Sequence, residues 1–217
     1  MAEFSIWPDE GSPFPLTADA DSPVSLGTRF DVLEPVDLVA LRFWRGAASI
    51  GGPVHAAVFE VTGPGTGEQI MLPVAFELSG TGWHRAELPA PVPLAPGSFK
   101  VVAHFPAGFT AVGGYWATGA GVGGIVSGPL SAPDASVEGG QGTFAYGSAL
   151  TYPTGFFNGG GYPVDVVLSD GDEEPNPDPS NWRVQVRPRR PRFGSQIHPG
   201  RYDLRQRNPR WASAGRD

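Results

Sequence analysis

The sequence predicts an all-β fold, an antiparallel β-sandwich followed by an extended C-terminal arm. Three observations carry this. Gly 31 and Pro 24 together make 55 of 217 residues, and they stand between apolar runs, where tight turns need them. The runs themselves alternate with the two-residue period of a strand that buries one face. No stretch shows a helical period. With 40% hydrophobic and only 17% charged residues, the composition excludes a helical bundle and argues against both disorder and a doubly wound α/β enzyme.

Val24 to Phe30 opens the series of expected strands. Val36 to Trp44 alternates, with Val39, Leu41 and Phe43 on one face and Arg42 and Trp44 on the other. Val54 to Val61 follows, closed by the turn Gly63-Pro64-Gly65-Thr66-Gly67. Ile70 to Leu78 sets Val74, Phe76 and Leu78 against Ala75 and Glu77. Gly82 to Leu88 and Phe99 to Phe105 flank a turn-rich stretch from Pro89 to Gly97. Phe144 to Tyr146 and Tyr162 to Leu168 complete the set. Strands at this short, regular spacing with turns between them indicate a sandwich. From Phe109 to Gly142 the chain loosens into a Gly-rich loop whose large aromatics are Tyr115 and Trp116. A loop of that length is expected to be functional or docked on something.

Charge divides the chain into three. Residues 1–168 hold 5 basic and 15 acidic side chains, a balance of −10. Residues 169–180 (SDGDEEPNPDPS) carry five acids and no base, a stiff Pro-rich linker. Residues 181–217 hold 10 Arg against Asp203 and Asp217, a balance of +8. The expected organisation is therefore a sandwich over 1–168, a linker over 169–180 and a docking arm over 181–217. Arg outnumbers Lys 14 to 1, the mark of a GC-rich genome rather than of a mechanism.

The order of motifs in the body resembles a known family. Ser5-Ile6-Trp7-Pro8 is followed by Pro23-Val24-Ser25-Leu26-Gly27-Thr28-Arg29-Phe30, then by Leu41-Arg42-Phe43-Trp44-Arg45-Gly46. Gly80-Thr81-Gly82-Trp83, Pro91-Val92-Pro93-Leu94-Ala95-Pro96-Gly97, Tyr152-Pro153 and Gly161-Tyr162-Pro163-Val164-Asp165-Val166-Val167 come after them. This series is similar to that of a bacterial β-sandwich domain of unknown function, which runs LGxxF, RFYKG, GWQ, PVxLxAG, NYWVDVVF. Trp44-Arg45 stands here for its usual Tyr-Lys, and Tyr162-Pro163 for Tyr-Trp. The resemblance spans residues 5 to 168 and leaves out the tail from Ser169. It implies a jelly-roll-like sandwich, used as a module in large secreted or surface proteins, with no established catalytic function.

The residues offer little chemistry. There is no cysteine, so no disulfide, thiolate nucleophile or zinc-thiolate site exists. His55, His84 and His104 fall in strand patterns opposite the more apolar face, with no HxH or HxxxH spacing, and His198 lies in the arm. No G-x-S-x-G elbow occurs; Ser127 sits beside one glycine only. Glu60, Glu77 and Glu87 take the solvent-facing phase of their strands. Asp19-Ala20-Asp21 and Asp170-Gly171-Asp172-Glu173-Glu174 carry oxygen ligands without matching a calcium loop. The expectation is no enzyme, no metal and no cofactor.

Two sets of residues remain as binding candidates. Trp44, Tyr115 and Trp116 are the candidate glycan platforms, because sugar C–H faces stack on aromatic rings; the competing reading packs Trp44 under a loop. In the arm, Trp182, Arg187, Arg189, Arg190, Arg192, Phe193, Tyr202, Leu204, Arg205 and Trp211 interleave aromatic and guanidinium groups. That mixture favours a protein interface over nucleic acid, and the acidic body offers complementary charge. The N-terminus has neither the basic nor the apolar region of a secretion signal, and no apolar run approaches membrane-spanning length. Together these features lead to the expectation of a virion structural protein of an actinobacterial phage, a capsid decoration, head fibre or minor tail protein. Its arm would anchor a multi-copy, projecting sandwich to other virion proteins, with a host-surface glycan as candidate ligand. The alternative is a carbohydrate-binding or cell-surface adhesion module.

Overall fold

The computed structural model describes residues 1–9, 17–19, 22–46 and 51–171, which contain strands and turns but no helix. Fifteen strands succeed one another. β1 (Glu3–Phe4), β2 (Thr17–Asp19), β3 (Val24–Val32), β4 (Val36–Arg45) and β5 (His55–Gly63) come first. β6 (Thr66–Gln69), β7 (Val74–Ala75), β8 (Gly82–Leu94), β9 (Gly97–Phe105) and β10 (Phe109–Ala111) follow. β11 (Ile125–Ser127), β12 (Leu130–Ala132), β13 (Gly142–Tyr146), β14 (Gly155–Phe156) and β15 (Val164–Ser169) end the series.

Pairing is antiparallel throughout and gives two main layers. One sheet has the order β1-β15-β4-β8; the larger runs β11-β12-β3-β9-β5-β6, with β13 also on β3, β14 on β13 and β7 on β5. A short ribbon pairs β10 with β2. The layers share one core: Val24, Leu26, Phe30, Val101, Ala103 and Val58 from the large sheet meet Leu38, Leu41, Phe43, Val164, Val166 and Leu168 from the small one. Phe43 ties them most directly, edge-on to Phe76 at 5.0 Å and to Phe105 at 5.2 Å. The expected antiparallel sandwich is therefore the observed one.

Three sequence expectations need correction. Ile70 to Leu78 is not a continuous strand: only Val74–Ala75 pairs, on β5, because Pro73 has no N–H to donate. Phe76 still turns into the core as its alternation required. The stretch from Pro89, expected as turns, instead continues β8 to Leu94. β8 is the last strand of its sheet, and an edge strand tolerates prolines because half of its N–H groups have no partner strand. Finally, the register of β4 against β8 shifts between Leu38 and Ala40. This bulge brings Val36 and Leu38 to the core face that Leu41 and Phe43 hold and leaves Val39 half-buried.

The N-terminal segment is bolted to the small sheet by an ion pair. Asp165, fully buried, accepts the amides of Ile6 and Trp7 at 3.0 and 3.1 Å and Arg42 Nε at 3.0 Å. Arg42 also donates to Ser5 Oγ at 2.7 Å and to Asp9 and the Trp7 carbonyl. Burial pushes the Asp165 carboxyl up from the ordinary aspartate value, and Arg42 and the two amides pull against it.

On its outer face the large sheet is covered by the segment carrying Leu150 and Tyr152, which packs on Ala57, Phe59 and Val102. Beneath it lies Lys100, the chain's one lysine, 2% exposed. Its Nζ donates to the Pro153 carbonyl at 3.1 Å and sits 4.5 Å above the Tyr152 ring. Burial, with neighbouring Arg29, pushes the Lys100 ammonium down to about 8. Between that value and the usual 10.5 the unfolded chain holds a proton that the folded one lacks, so folding stability rises with pH across the window. Urea unfolding at pH 7.5 and 9.5 should show a gain on the order of 1–2 kcal/mol, absent in Lys100→Met. A loss of stability over the same interval would refute the assignment.

Candidate binding cleft

A cleft of about 690 Å³ is lined by residues of β3, β10 and β13 and of the loops after β10 and β14. Its floor follows from register. β13 pairs with β3 so that Phe144 lies opposite Leu26 and Tyr146 opposite Val24, which places all four side chains in the cleft lining. Phe109 and Ala111 of β10, Val112, Gly113, Gly114 and Thr118 of the loop after it, and Phe157, Asn158, Gly160 and Tyr162 complete it. Phe109 and Tyr162 meet edge-on at 6.0 Å, and Phe144 and Tyr146 at 5.7 Å.

The two walls are tied by paired 2.8 Å hydrogen bonds between Val112 and Gly161. The wall at Phe157 is a tight turn, in which the Gly160 amide donates to the Phe157 carbonyl at 2.8 Å. Asn158 and Gly159 occupy the left-handed region at φ 48 and 62, the conformation that an Asn-Gly pair adopts most readily. Two glycines make the close approach of this turn. A Cβ on Gly159 would lie 2.4 Å from Ala117 Cβ, and one on Gly142 only 1.9 Å from the Gly160 carbonyl oxygen. The Trp116 amide donates to the Gly159 carbonyl at 2.8 Å and fixes the turn from the other side.

Among the described residues no Asp, Glu, Lys, Arg or His lines the cleft. Its polar groups are the hydroxyls of Thr118, Tyr146 and Tyr162, the Asn158 amide and nearby backbone. Burial, followed by the proximity of Tyr146, pushes the Tyr162 hydroxyl up to about 12. What the lining offers is aromatic surface and neutral hydrogen-bonding groups.

The residues singled out from sequence lie elsewhere. Trp44 is half-buried on the outer face of the small sheet, edge-on to its register partner Trp83 at 5.6 Å, and Arg42 lies 4.3 Å above the Trp83 ring. Tyr115 and Trp116 must be corrected as glycan platforms, because they are 2% and 1% exposed. Trp7 stacks on Tyr115 at 4.4 Å and meets Trp116 at 5.8 Å, so these rings fill the core instead of facing solvent. Trp182, Arg187, Arg189, Arg190, Arg192, Phe193, Tyr202, Leu204, Arg205 and Trp211 all lie outside the described residues.

One strand histidine, His84, departs from the expected face, whereas His55 and His104 keep the phase of the outer-face residues Ala57 and Val102. His84 sits on the core face, stacked on Phe43 at 5.4 Å, with Nδ1 3.0 Å from the Glu77 carbonyl. His104 Nδ1 lies 3.2 Å from Ser25 Oγ, a Ser-His contact with no sequence signature. Ser25 is fully buried; its hydroxyl donates to the Ala149 carbonyl and accepts the Thr151 amide, which makes it an anchor for the covering segment and leaves no path for a substrate. Among the described residues no three His, Asp or Glu side chains gather as metal ligands. None of the residues Phe109, Phe144, Tyr146, Phe157, Asn158 and Tyr162 was found from sequence as a site. The available signal was Phe156-Phe157-Asn158-Gly159, two adjacent phenylalanines lifted on an Asn-Gly turn.

Residues 11–164 match the family model described as Domain of unknown function (DUF4082). The chain belongs to the DUF4082 family. No curated protein matches it. The DUF4082 match includes every residue that lines the cleft, from Val24 to Tyr162, and stops short of the acidic linker and the Arg-rich segment. The cleft thus lies wholly within the matched residues, whereas Ser169, which ends β15, and the residues after it lie beyond them.

Proposed function

We propose that this protein is a non-enzymatic virion structural component, either a capsid decoration or head fibre protein or a minor tail protein. In this reading a projecting DUF4082 sandwich is fastened to the particle by residues 181–217. The reading rests on one observation above others: residues 181–217 carry a balance of +8 and interleave aromatic with guanidinium groups, the composition of a protein interface. A neighbouring copy with its −10 body is an electrostatically complementary partner. Copies joined in this way would display many sandwiches on one surface.

Light scattering on the full chain and on a chain ending at Ser180 tests the anchoring. The full chain is expected to self-associate, and the shortened one to be a folded monomer. A shortened chain that fails to fold would make the arm part of the domain, and two indistinguishable monomers would remove the basis for self-assembly. The alternative, a carbohydrate-binding module, is favoured by a separate observation, the aromatic cleft.

A further inference from the structure

We propose that the cleft between β13 and the 157–160 turn binds a neutral glycan, whose pyranose rings stack on Tyr146 and Phe157. This goes beyond the anchoring reading and does not depend on it.

Exposure is the first ground. Among the described residues the aromatic side chains left more than half exposed are Tyr146 at 57%, Phe156 at 68% and Phe157 at 67%. Two of the three line the cleft and the third is their chain neighbour. Elsewhere the fold turns its rings inward, so open aromatic surface gathered at one concavity marks a place where something is meant to cover it.

The chemistry of the lining then selects the ligand. A cleft without an ionisable carboxylate, imidazole or amine compensates neither an anion nor a cation on burial, and the acidic body adds repulsion for anions. An all-hydrocarbon ligand would offer nothing to the exposed Asn158 amide that it covers. A pyranose answers both requirements, because it presents C–H faces to rings and hydroxyls to neutral donors and acceptors. The volume of about 690 Å³ falls within the range of about 300–1,000 Å³ in which small-molecule sites enclose a ligand. Gly159 and Gly142, by their close packing, hold Phe157 and Asn158 in place before any ligand arrives, which lowers the entropic cost of binding.

Saturation-transfer NMR on the full chain tests the proposal with maltose, cellobiose, lactose and, as the charged comparison, sialyllactose. At least one neutral disaccharide is expected to bind with a Kd on the order of millimolar, saturating its ring C–H protons. Tyr146→Ala and Phe157→Ala, both at exposed positions, are expected to weaken it about tenfold each, and Tyr146→Phe by no more than about threefold. Trp44→Ala is expected to leave it unchanged. Absence of saturation from all three neutral sugars overturns the proposal. So does retained binding in both alanine variants, or a preference for sialyllactose. A peptide of residues 181–217 that perturbs the Tyr146 and Phe157 resonances where the sugars do not would overturn it in favour of a protein ligand.

Discussion

Asp165→Ala is expected to cost the sandwich about 3–5 kcal/mol in urea unfolding. The carboxylate has no exposed surface and is the shared acceptor for the Ile6 and Trp7 amides and for Arg42. Its loss leaves a guanidinium at 6% exposure with its closest buried counter-charge gone, together with two amide donors. Each of these separately carries a desolvation penalty. The same reasoning predicts rescue. Arg42→Met combined with Asp165→Leu removes both charges at once, so the double variant should be more stable than Asp165→Ala alone. A single variant within about 0.5 kcal/mol of the parent would show that solvent reaches Arg42 and that the bolt does little to hold the N-terminal segment.

Trp116→Ala is expected to be comparably severe, about 3–5 kcal/mol. At 1% exposure the indole packs edge-on against both rings of the Trp7–Tyr115 stack, at 5.8 Å and 4.8 Å, and its removal leaves a cavity in the core. Its backbone also carries the Gly159 and Ala135 hydrogen bonds, so the damage spreads to the wall that holds Phe157. A loss below about 1 kcal/mol would be the behaviour of an exposed ring and would restore Trp116 as a surface platform. Trp116→Phe, which keeps most of the volume, should recover much of the difference.

The contrast between Trp116 and Phe157 shows what the sequence reveals and what it hides. Val24 to Phe30, Val36 to Trp44 and Phe99 to Phe105 were legible as strands because one face of each meets the core, and burial then imposes a period of two on the letters. Leu38 and Val39 were misplaced because a bulge changes which residues face inward without leaving a mark in the alternation. Tyr115 and Trp116 stand in a run of glycines, where no period exists, and only the arrival of Trp7 from more than a hundred residues away decides that they are buried. The cleft fails to show for the same reason. Its floor comes from Val24 and Phe144, its walls from residues 112–114, 118, 157, 158, 160 and 162, and no local pattern records that these meet. Charge segregation, by contrast, needs no fold to be read, and the division at Ser169 came directly from counting.

The prolines of β8 have a consequence at the edge of their sheet. A sandwich invites trouble at its outer strands, whose free N–H and C=O groups can template another chain and seed aggregation. Here one border of the small sheet is β1, only two residues long, and the other is β8, where Pro89, Pro91 and Pro93 offer no N–H at all. The large sheet ends in the three-residue β11 and the four-residue β6. Among these borders only Gly82 to Leu88 of β8 gives an incoming strand a longer run of donors. The borders at which two such sandwiches could fuse into a continuous sheet are thereby kept short.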